Sequence, residues 1–588
     1  MCGIYALISN KNIRNNKYKK YALKCAQKLQ HRGPDGTGYY QTDNVCLVHK
    51  RLAIISPESG NQPIISSDDS LALCVNGEIF NYKDLQKEFS KYTYKTGSDC
   101  EPILALYDHY KNYNTQITET SVLSHDQIVA LLSKLDGQFS FILHDKNTNM
   151  VLVARDPFGI TQLYYGIDSY GTIQIASEMK ALNECVSVNV FPSGSYLYLN
   201  VNQPELKIIN YFSETPDGSW LKNVSHTQIL PYTYEPESIL SEDEQNILMD
   251  KIKNVFENAV TKRLMSDVPF GILLSGGLDS SLVASIAVRY IRQHPEIYGS
   301  DPVIHTFSIG DKDSTDLPYA KKVADFLKTK HHEIRFTVDD GLNALEDVIY
   351  HLETYDITTI RASTPHFLLS QKIQSLGIKM VLSGEGSDEL LGGYLYFHKA
   401  PSDEEHQLEC KQRVLDLGYF DCLRADKSTM GHSLEGRYPF LDTEFIKLCI
   451  NIHKDVKAQK GIEKYILRKA FDLKDDSGNS LYLPSDVLWR QKEQFSDSIT
   501  YRWIDTLKAD TDKDVIDKCL TAYNNRQLLY PFNTPQTTEA FYYRQIFEKL
   551  FPNREKTVKC WYPNTRWKGI NSSDPSGRAQ SCHINTNA

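Results

Sequence analysis

Cys2 is the first residue whose type and place could do chemistry. With Met1 removed it would carry a thiol and a free α-amine on one residue. The amine, with an ordinary pKa of roughly 7.7–8.0, suits a base at neutral pH, and a thiol near about 8.5 beside it is an activated nucleophile that needs no histidine. Taken alone, Cys2 is equally a small buried residue opening a strand. Arg51 ends the strand-like Val48-His49-Lys50-Arg51-Leu52-Ala53-Ile54 and offers a planar fork for a substrate α-carboxylate. Asp99 could accept from a substrate α-ammonium, and as an acid at a helix start it is favourable there in any case. Asn76-Gly77 supplies a side-chain amide and an unhindered backbone N–H, the pair an oxyanion hole needs. On its own an Asn-Gly more often marks a hairpin turn.

A second chemistry lies in Phe270-Gly271-Ile272-Leu273-Leu274-Ser275-Gly276-Gly277-Leu278-Asp279-Ser280-Ser281, which reads strand, glycine loop, helix. Gly276 and Gly277 let backbone N–H groups approach phosphate oxygens, and the helix N-terminus favours the anion. No G-x-x-x-x-G-K-[ST] occurs, which excludes a Walker A site. His305–Gly310 closes a second strand, and Ser383-Gly384-Glu385-Gly386-Ser387-Asp388-Glu389 follows a fourth. In a doubly wound sheet such carboxyl ends face one crevice. Asp388 and Glu389 could also serve only as acids at a helix N-terminus.

Met1-Cys2-Gly3-Ile4, His31-Arg32-Gly33-Pro34-Asp35-Gly36, Asn76-Gly77-Glu78-Ile79 and Gly97-Ser98-Asp99 resemble the N-terminal glutaminase of class II glutamine amidotransferases. The Ser-Gly-Gly-Leu-Asp-Ser-Ser loop resembles that of ATP-pyrophosphatases, which cleave ATP between its α and β phosphates and adenylate a carboxylate. Joined in this order, the two resemble glutamine-hydrolysing asparagine synthetases across nearly the whole chain. Further matching stretches lie at 154–160, 353–356, 361–365, 392–394, 421–425, 489–497 and 574–578.

The resemblance implies α/β and α+β architecture in two domains. The first is a four-layer αββα sandwich of the N-terminal-nucleophile hydrolase type over 2–212. A linker spans 213–242, a doubly wound parallel sheet of the ATP-pyrophosphatase type 243–560, and a tail 561–588. It implies that L-aspartate is activated by ATP as β-aspartyl-AMP and attacked by ammonia from L-glutamine, which travels through an internal tunnel. The catalytic residues implied are Cys2, Asn76, Gly77, Glu385 and Lys492. Glutamine would be held by Arg51, Leu52, Ala53, Ile54, Ile55, Asn76, Gly77, Glu78 and Asp99. ATP would be held by Leu273, Ser275, Gly276, Gly277, Asp279, Ser280, Ile309, Ser383 and Gly384. Carboxylates beside a phosphate loop would repel ATP unless a cation lies between them, so Mg²⁺ is expected, on Asp279 and Asp388. A homodimer is implied as well.

Departures from the family pattern are Thr161-Gln162 for Lys-Pro, Asp426 for Asn and Ser498 for Gly. Gly436-Arg437-Tyr438-Pro439-Phe440 also stands where Ala-Arg-Val-Pro-Phe is usual. The aromatic run 394–398 reads mainly as packing. Two rivals are a β-lactam-synthetase-like ligase, against which Cys2 argues, and a non-catalytic regulatory descendant, against which the retained Cys2, Arg51, Asp99, Asp279 and Glu385 argue together.

These residues need elements to position them. The first ~200 residues read as strands at 2–8, 44–55, 71–75, 138–144, 150–156 and 173–177, bounded by Gly, Pro, Asn or Asp. Helical patterns interrupt at 18–30 and 101–110, the second opened by a capping box, Ser98-Asp99-Cys100-Glu101. From about Glu242 the rhythm becomes βαβ. Strands fall at 270–274, 303–309, 333–338 and 378–382, with helices at 281–291, 317–328, 341–352 and 365–375. Composition agrees with a globular chain of two to four domains: 588 residues, 41% apolar and 24% charged. Net charge −9, from 65 basic and 74 acidic side chains, argues against nucleic-acid or polybasic membrane partners. No apolar run approaches the ~20 residues of a membrane span. Twelve scattered cysteines without a C-x-x-C pair, and no signal-peptide pattern at the start, point to a reducing, cytoplasmic setting.

Overall fold

The structure, a computed structural model of the whole chain, describes residues 1–112, 122–212, 224–225, 228–229, 241–492 and 501–570. Most of the expected linker, Ser498, the matching stretches at 493–497 and 574–578, and 571–588 of the expected tail lie outside them. The chain divides into two compact units. One takes 1–233 with 265–268 and 430–435, and the other takes 234–264, 269–429 and 436–588.

The first unit holds strands β1 (Gly3–Ile8), β2 (Gly36–Gln41), β3 (Val45–Arg51), β4 (Ile64–Ile65), β5 (Leu71–Ile79), β6 (Gly137–Asp145), β7 (Met150–Arg155), β8 (Tyr164–Ile167), β9 (Ile173–Ala176), β10 (Ser187–Val190), β11 (Ser195–Asn200) and β12 (Ile208–Asn210). They form two six-stranded sheets, ordered β10-β8-β9-β1-β3-β2 and β12-β11-β7-β6-β5-β4. Period-two alternation in β1 decides how the layers stack. Ile4, Ala6 and Ile8 face inward and pack with Val45, Leu47, Ala72, Cys74, Ile142 and Val153 in one core between the sheets. Tyr5 turns the other way, and its hydroxyl donates to Gln174 Oε1 at 2.7 Å. Helix α1 (Asn16–Gln27) covers that outer face and brings Tyr21 to the same amide. The second sheet is covered by α2 (Pro102–Asn112) and α3 (His125–Ser133). Lys111 reaches Asp145 at 2.7 Å, and His125 Nδ1 lies 2.6 Å from Tyr196 Oη. The unit is a four-layer αββα sandwich.

Two local expectations change. Asn76-Gly77 is no hairpin turn; it lies inside β5, paired with Ser140 and Phe139 of β6. The capping box at 98–101 does not form, because α2 opens only at Pro102, a residue suited to a first helical position. Glu101 instead turns back, its carboxylate accepting from Lys95 N and Thr96 N, each at 2.7 Å.

The second unit carries β13 (Phe270–Leu273), β14 (His305–Gly310), β15 (Lys330–Arg335), β16 (Met380–Leu382) and β17 (Glu435–Arg437), ordered β15-β14-β13-β16-β17. The pairs β13/β14, β13/β16 and β14/β15 are parallel. Helix α4 (Leu278–Gln293) follows β13, α5 (Asp316–Leu327) follows β14, and α6 (Val338–Leu352) and α7 (Ile357–Gln374) follow β15. Strand order reverses between β13 and β16, the switch point where such a sheet binds ligands. Strand β15 begins three residues before the sequence placed it, and α7 eight residues before. Pro365 lies inside α7 and cannot donate to the carbonyl of Arg361. Trp503 Nε1 donates to that carbonyl at 3.1 Å, so the helix runs through the proline.

Two departures near β17 prove to be one exchange. A Cβ on Gly436 would sit 2.0 Å from Tyr438 Oη, and Tyr438 is buried, so its phenol takes the space an alanine methyl would need. Gly436→Ala should therefore lower stability in urea unfolding by about 1–3 kcal/mol, the usual cost of overpacking. Adding Tyr438→Val should recover most of that loss; an unaltered single variant would show that the ring has room to move.

Candidate active sites

In the first unit, β1 delivers Cys2 beside the end of β3. Its backbone N–H donates to Asn76 Oδ1 at 2.6 Å, and its Sγ accepts from Leu52 N at 3.4 Å. Burial pushes the thiol above its ordinary pKa, against the lowering effect of the terminal amine and the Leu52 amide. Asn76 is wholly buried, and with Oδ1 committed its Nδ2 is a donor with no protein partner. That is the donor the sequence assigned to an oxyanion. Gly77 follows at φ 151, where a Cβ would strike Gln138 O at 2.0 Å, so only glycine lets β5 lie this close to β6.

The His31–Gly36 motif holds the surroundings of Cys2. Arg32 Nε donates to Cys2 O and its NH1 to Glu178 Oε1, each at 2.9 Å. Asp35 Oδ2 accepts from Ala53 N at 2.8 Å, fixing the 52–55 loop. Arg32 and Glu178, which tie down the Cys2 carbonyl, were left unassigned by sequence reasoning. Arg51 sits differently from a bare carboxylate fork, since its NH1 donates to Pro57 O and Asn61 Oδ1, and its NH2 to Ser56 O. With Ile55 O also on NH2 at 3.4 Å, these acceptors take up four of the five guanidinium N–H groups. Asp99 Oδ2 accepts from Ile79 N at 2.8 Å, and Glu78 is buried on the same strand. Leu52, Ala53, Ile54 and Ile55 are all buried along this loop.

In the second unit a pocket of about 210 Å³ opens at the switch point. Leu273, Ser275, Gly277, Asp279, Ser280, Ile309, Ser383, Gly384, Glu385, Asp388 and Lys492 all line it, so of the residues assigned here from sequence all but Gly276 meet at its wall. Gly276, at φ 81, would drive a Cβ to 2.3 Å from Ala320 N, which forces glycine in the loop. Ser280 Oγ braces the loop through Ser275 N at 3.1 Å. Gly277 caps α4 without any side-chain acceptor, leaving the helix's first N–H groups to an anion. Gly384 lies against the loop, its Cβ position 2.7 Å from Ser280 N.

The carboxylates here bring their own cations. Lys464 Nζ lies 2.7 Å from Asp279 Oδ2 and 2.5 Å from Asp388 Oδ1, and Lys492 Nζ lies 2.8 Å from Asp388 Oδ2. Glu385 is gripped by Arg424, with 3.2 and 2.7 Å from its two nitrogens to the two oxygens. Burial would raise Asp388, but Lys464 and Lys492 outweigh it and hold the carboxyl well below its ordinary value. Burial would lower Lys492, and Asp388 and Asp279 reverse that, keeping it an ammonium. The expectation that a metal must separate these acids from a polyphosphate therefore has a second answer in Lys464, Lys492 and Arg424. None of Lys464, Arg424, Asp421 or Arg490 was assigned from sequence. Lys464 sits in an unremarkable Glu-Lys-Tyr run that carries no local signal. Gly393 makes its room, since a Cβ there would lie 2.1 Å from Lys464 Cε. The aromatic run does pack, Tyr396 against Phe397 at 4.7 Å, but Tyr394 and Tyr396 also line the pocket. Of the other departures, Thr161 and Gln162 are buried on Asp156, Ser140 and Gly159 within the first unit.

Glu389 is the exception among the acids. Burial, then the charges of Asp421 and Asp388, push its carboxyl well above the ordinary 4.5, and Tyr394 Oη donates to it. The folded chain thus keeps a proton that the unfolded chain releases above about pH 4.5, so this group lowers stability as pH rises from there. Glu389→Gln should gain on the parent by up to about 1.4 kcal/mol per pH unit above that point. Urea unfolding between about pH 5 and 8 reads the difference; a constant offset would mean Glu389 is ionised in the fold.

The chain is similar along its length to known proteins. The asparagine synthase family matches residues 251–413 and 402–571, and the glutamine amidotransferase domain family matches 1–235. A probable glutamine-hydrolysing asparagine synthetase of Dictyostelium discoideum is 46% identical over 602 residues, covering 100% of both chains. Asparagine synthetase 1 of Lotus japonicus is 45% identical, covering 98% of this chain and 93% of its own. The root asparagine synthetase of Pisum sativum is also 45% identical, covering 98% and 94%. With whole-length identity at this level, and a buried N-terminal cysteine and a phosphate-loop pocket in one chain, the protein belongs to the glutamine-hydrolysing asparagine synthetase family.

Proposed function

We propose that this chain makes L-asparagine from L-aspartate and ATP, taking ammonia from L-glutamine and releasing L-glutamate, AMP and pyrophosphate. The observation that carries this is the second unit's pocket, where the phosphate loop, Glu385–Arg424 and the Lys464–Lys492 pair line one cavity. In the first unit Cys2 Sγ would attack the glutamine amide carbon, forming a thioester and expelling ammonia, and water would release glutamate. With Met1 removed, the Cys2 amine beside Asn76 Oδ1 would serve as base, and Asn76 Nδ2 and the Gly77 N–H would hold the oxyanion. Arg51, Glu78, Asp99 and the 52–55 backbone would hold glutamine's charged groups.

In the second unit Leu273, Ile309, Ser383 and Gly384 would seat the nucleoside, and the loop at Ser275, Gly276, Gly277, Asp279 and Ser280 the phosphates. The aspartate β-carboxylate would attack the α-phosphorus, and pyrophosphate would leave toward the ammonium groups of Lys464 and Lys492. Ammonia would then attack the β-aspartyl carbonyl and displace AMP, with Glu385, steadied by Arg424, beside the reacting centre. Asp279 and Asp388 are hard oxygen donors next to the phosphates, a set that suits Mg²⁺, which when bound would neutralise phosphate charge. A homodimer and a cytoplasmic setting belong to the same reading. Cys2 weighs against a β-lactam-synthetase-like activity.

Two variants test this together. Cys2→Ala should cut glutamine-dependent synthesis by at least ~10³ and leave ammonia-dependent synthesis intact. Glu385→Ala should abolish asparagine formation from either nitrogen source while glutamine hydrolysis continues. Loss of both activities in folded Cys2→Ala, or asparagine at the parent rate from Glu385→Ala, would refute the assignment.

A further inference from the structure

The two ammonium groups that face Asp388 come from separate stretches of chain, and one buried ion pair ties those stretches together. Lys464 Nζ holds Asp388 Oδ1 and Lys492 Nζ holds Oδ2, so the two lysines share one carboxylate. Beside Lys464 stands Glu463, 2% exposed, and in the helix Tyr465–Phe471 stands Arg468, 1% exposed. Glu463 Oε1 accepts from Lys492 N at 2.8 Å and from Arg468 Nη2 at 2.5 Å. Arg468 turns its other nitrogens to main chain. Its Nε donates to Glu463 O at 2.9 Å, and its Nη1 to Leu488 O and Arg490 O at 2.6 and 2.8 Å. Arg468 N donates to Lys464 O at 3.0 Å, so the left-handed bend at Lys464, φ 55, is held on both sides.

Every one of these hydrogen bonds ends on a segment that carries one of the two lysines. Both side chains of the pair line the pocket, where a lone carboxylate would repel a polyphosphate. Arg468 cancels that charge at 2.5 Å, so the pair adds little field of its own and can influence a ligand only through geometry. Geometry is what the lysines need. Ammonium groups stabilise charge developing on a leaving group only when already in place, and a misplacement of about 1 Å can cost roughly 10² in rate. We infer that Glu463 and Arg468 are positioning residues of the synthetase reaction: by fixing 463–464 to 488–492 they set the spacing of Lys464 and Lys492 for the leaving pyrophosphate. This rests on the proposal above that pyrophosphate leaves toward those two lysines.

The test uses the full-length enzyme with aspartate, ATP and ammonia, and measures kcat, the KM for ATP and the inhibition constants of added pyrophosphate and AMP. Glu463→Gln keeps an oxygen for the Lys492 N–H but loses the charge that holds Arg468. Arg468→Lys keeps the charge but cannot span Glu463, Leu488 and Arg490 at once. Each should lower kcat about tenfold and raise the pyrophosphate inhibition constant about tenfold, with AMP inhibition at the parent value. Retained AMP inhibition shows that the pocket is folded. The decisive comparison is a cycle with Lys492→Ala. If Glu463 acts through that lysine, adding Glu463→Gln to Lys492→Ala should lower kcat by only about twofold. Arg468→Lys runs the same cycle where Glu463→Gln does not fold. Full multiplication of the two effects would overturn the proposal, as would parent-like pyrophosphate inhibition in the variants. Equal weakening of pyrophosphate and AMP would overturn it too, since that marks a general loosening of the pocket. An unaltered pyrophosphate inhibition constant in Lys492→Ala alone would instead refute the lysines as the destination of pyrophosphate, and is told apart because neither Glu463 nor Arg468 is changed there.

Discussion

The second unit's site depends on one buried ammonium held between two carboxylates. Lys464 reaches Asp279, from the loop after β13, and Asp388, from the helix after β16, with 1% of its side chain exposed. Two acids this close in a low-dielectric interior repel strongly, and removing a shared cation from such a cluster typically costs about 3–5 kcal/mol. The chain bends to supply that cation. Lys464 takes a left-handed φ of 55, and Gly393 gives up a side chain to make room for it. The phosphate loop and the acidic helix are thus fixed to each other by charge, across the reversal point of the sheet.

That balance shapes what a nucleotide would meet. Asp279, Asp388 and Glu385 each have a cation partner within 2.8 Å, so the ligand-free pocket carries matched charges rather than a bare acidic face. A polyphosphate would draw Lys464 and Lys492 from carboxylate to phosphate, and the released carboxylate oxygens would then suit a divalent cation. Glu389 stands outside this pairing: burial and the charges of Asp421 and Asp388 push its carboxyl up, and its hydrogen-bond donor is Tyr394 Oη rather than a cation.

How much of this was legible depended on how local the signal was. The phosphate loop, Cys2 and the βαβ rhythm are contiguous patterns, and they led to the pocket, the buried cysteine beside Asn76 and the parallel sheet. The short strands β2, β8, β10, β11 and β12 were missed because they are brief and only partly apolar, and tertiary pairing decides them. The first half of α7 was missed because Pro365 reads as a breaker, and only a tryptophan 138 positions on, Trp503, satisfies the carbonyl it orphans. Lys464, Arg424 and Arg32 were missed for a related reason. Each acts through a partner distant in sequence, and a lone cation has no local mark that separates it from a solvated one.

The two sites share a device that sequence shows only in part. A side chain with two polar ends is tied at one end so that the other is presented with its role fixed. Asn76 Oδ1 is taken by Cys2 N, and Nδ2 is left as a donor. His366 Nδ1 is taken by Ser428, and Nε2 is left as an acceptor. Because each tie is made inside the fold, the free end is oriented before any substrate arrives, and binding need not spend energy choosing a rotamer or a tautomer. The difference lies in the tie. Asn76 is fixed by Cys2 itself, so any shift of Cys2 disturbs the thiol and the Asn76 amide together. His366 is tied through Ser428 to the backbone carbonyl of Arg424, the residue whose guanidinium grips Glu385, so its free acceptor is set by the same stretch of chain that holds that carboxylate.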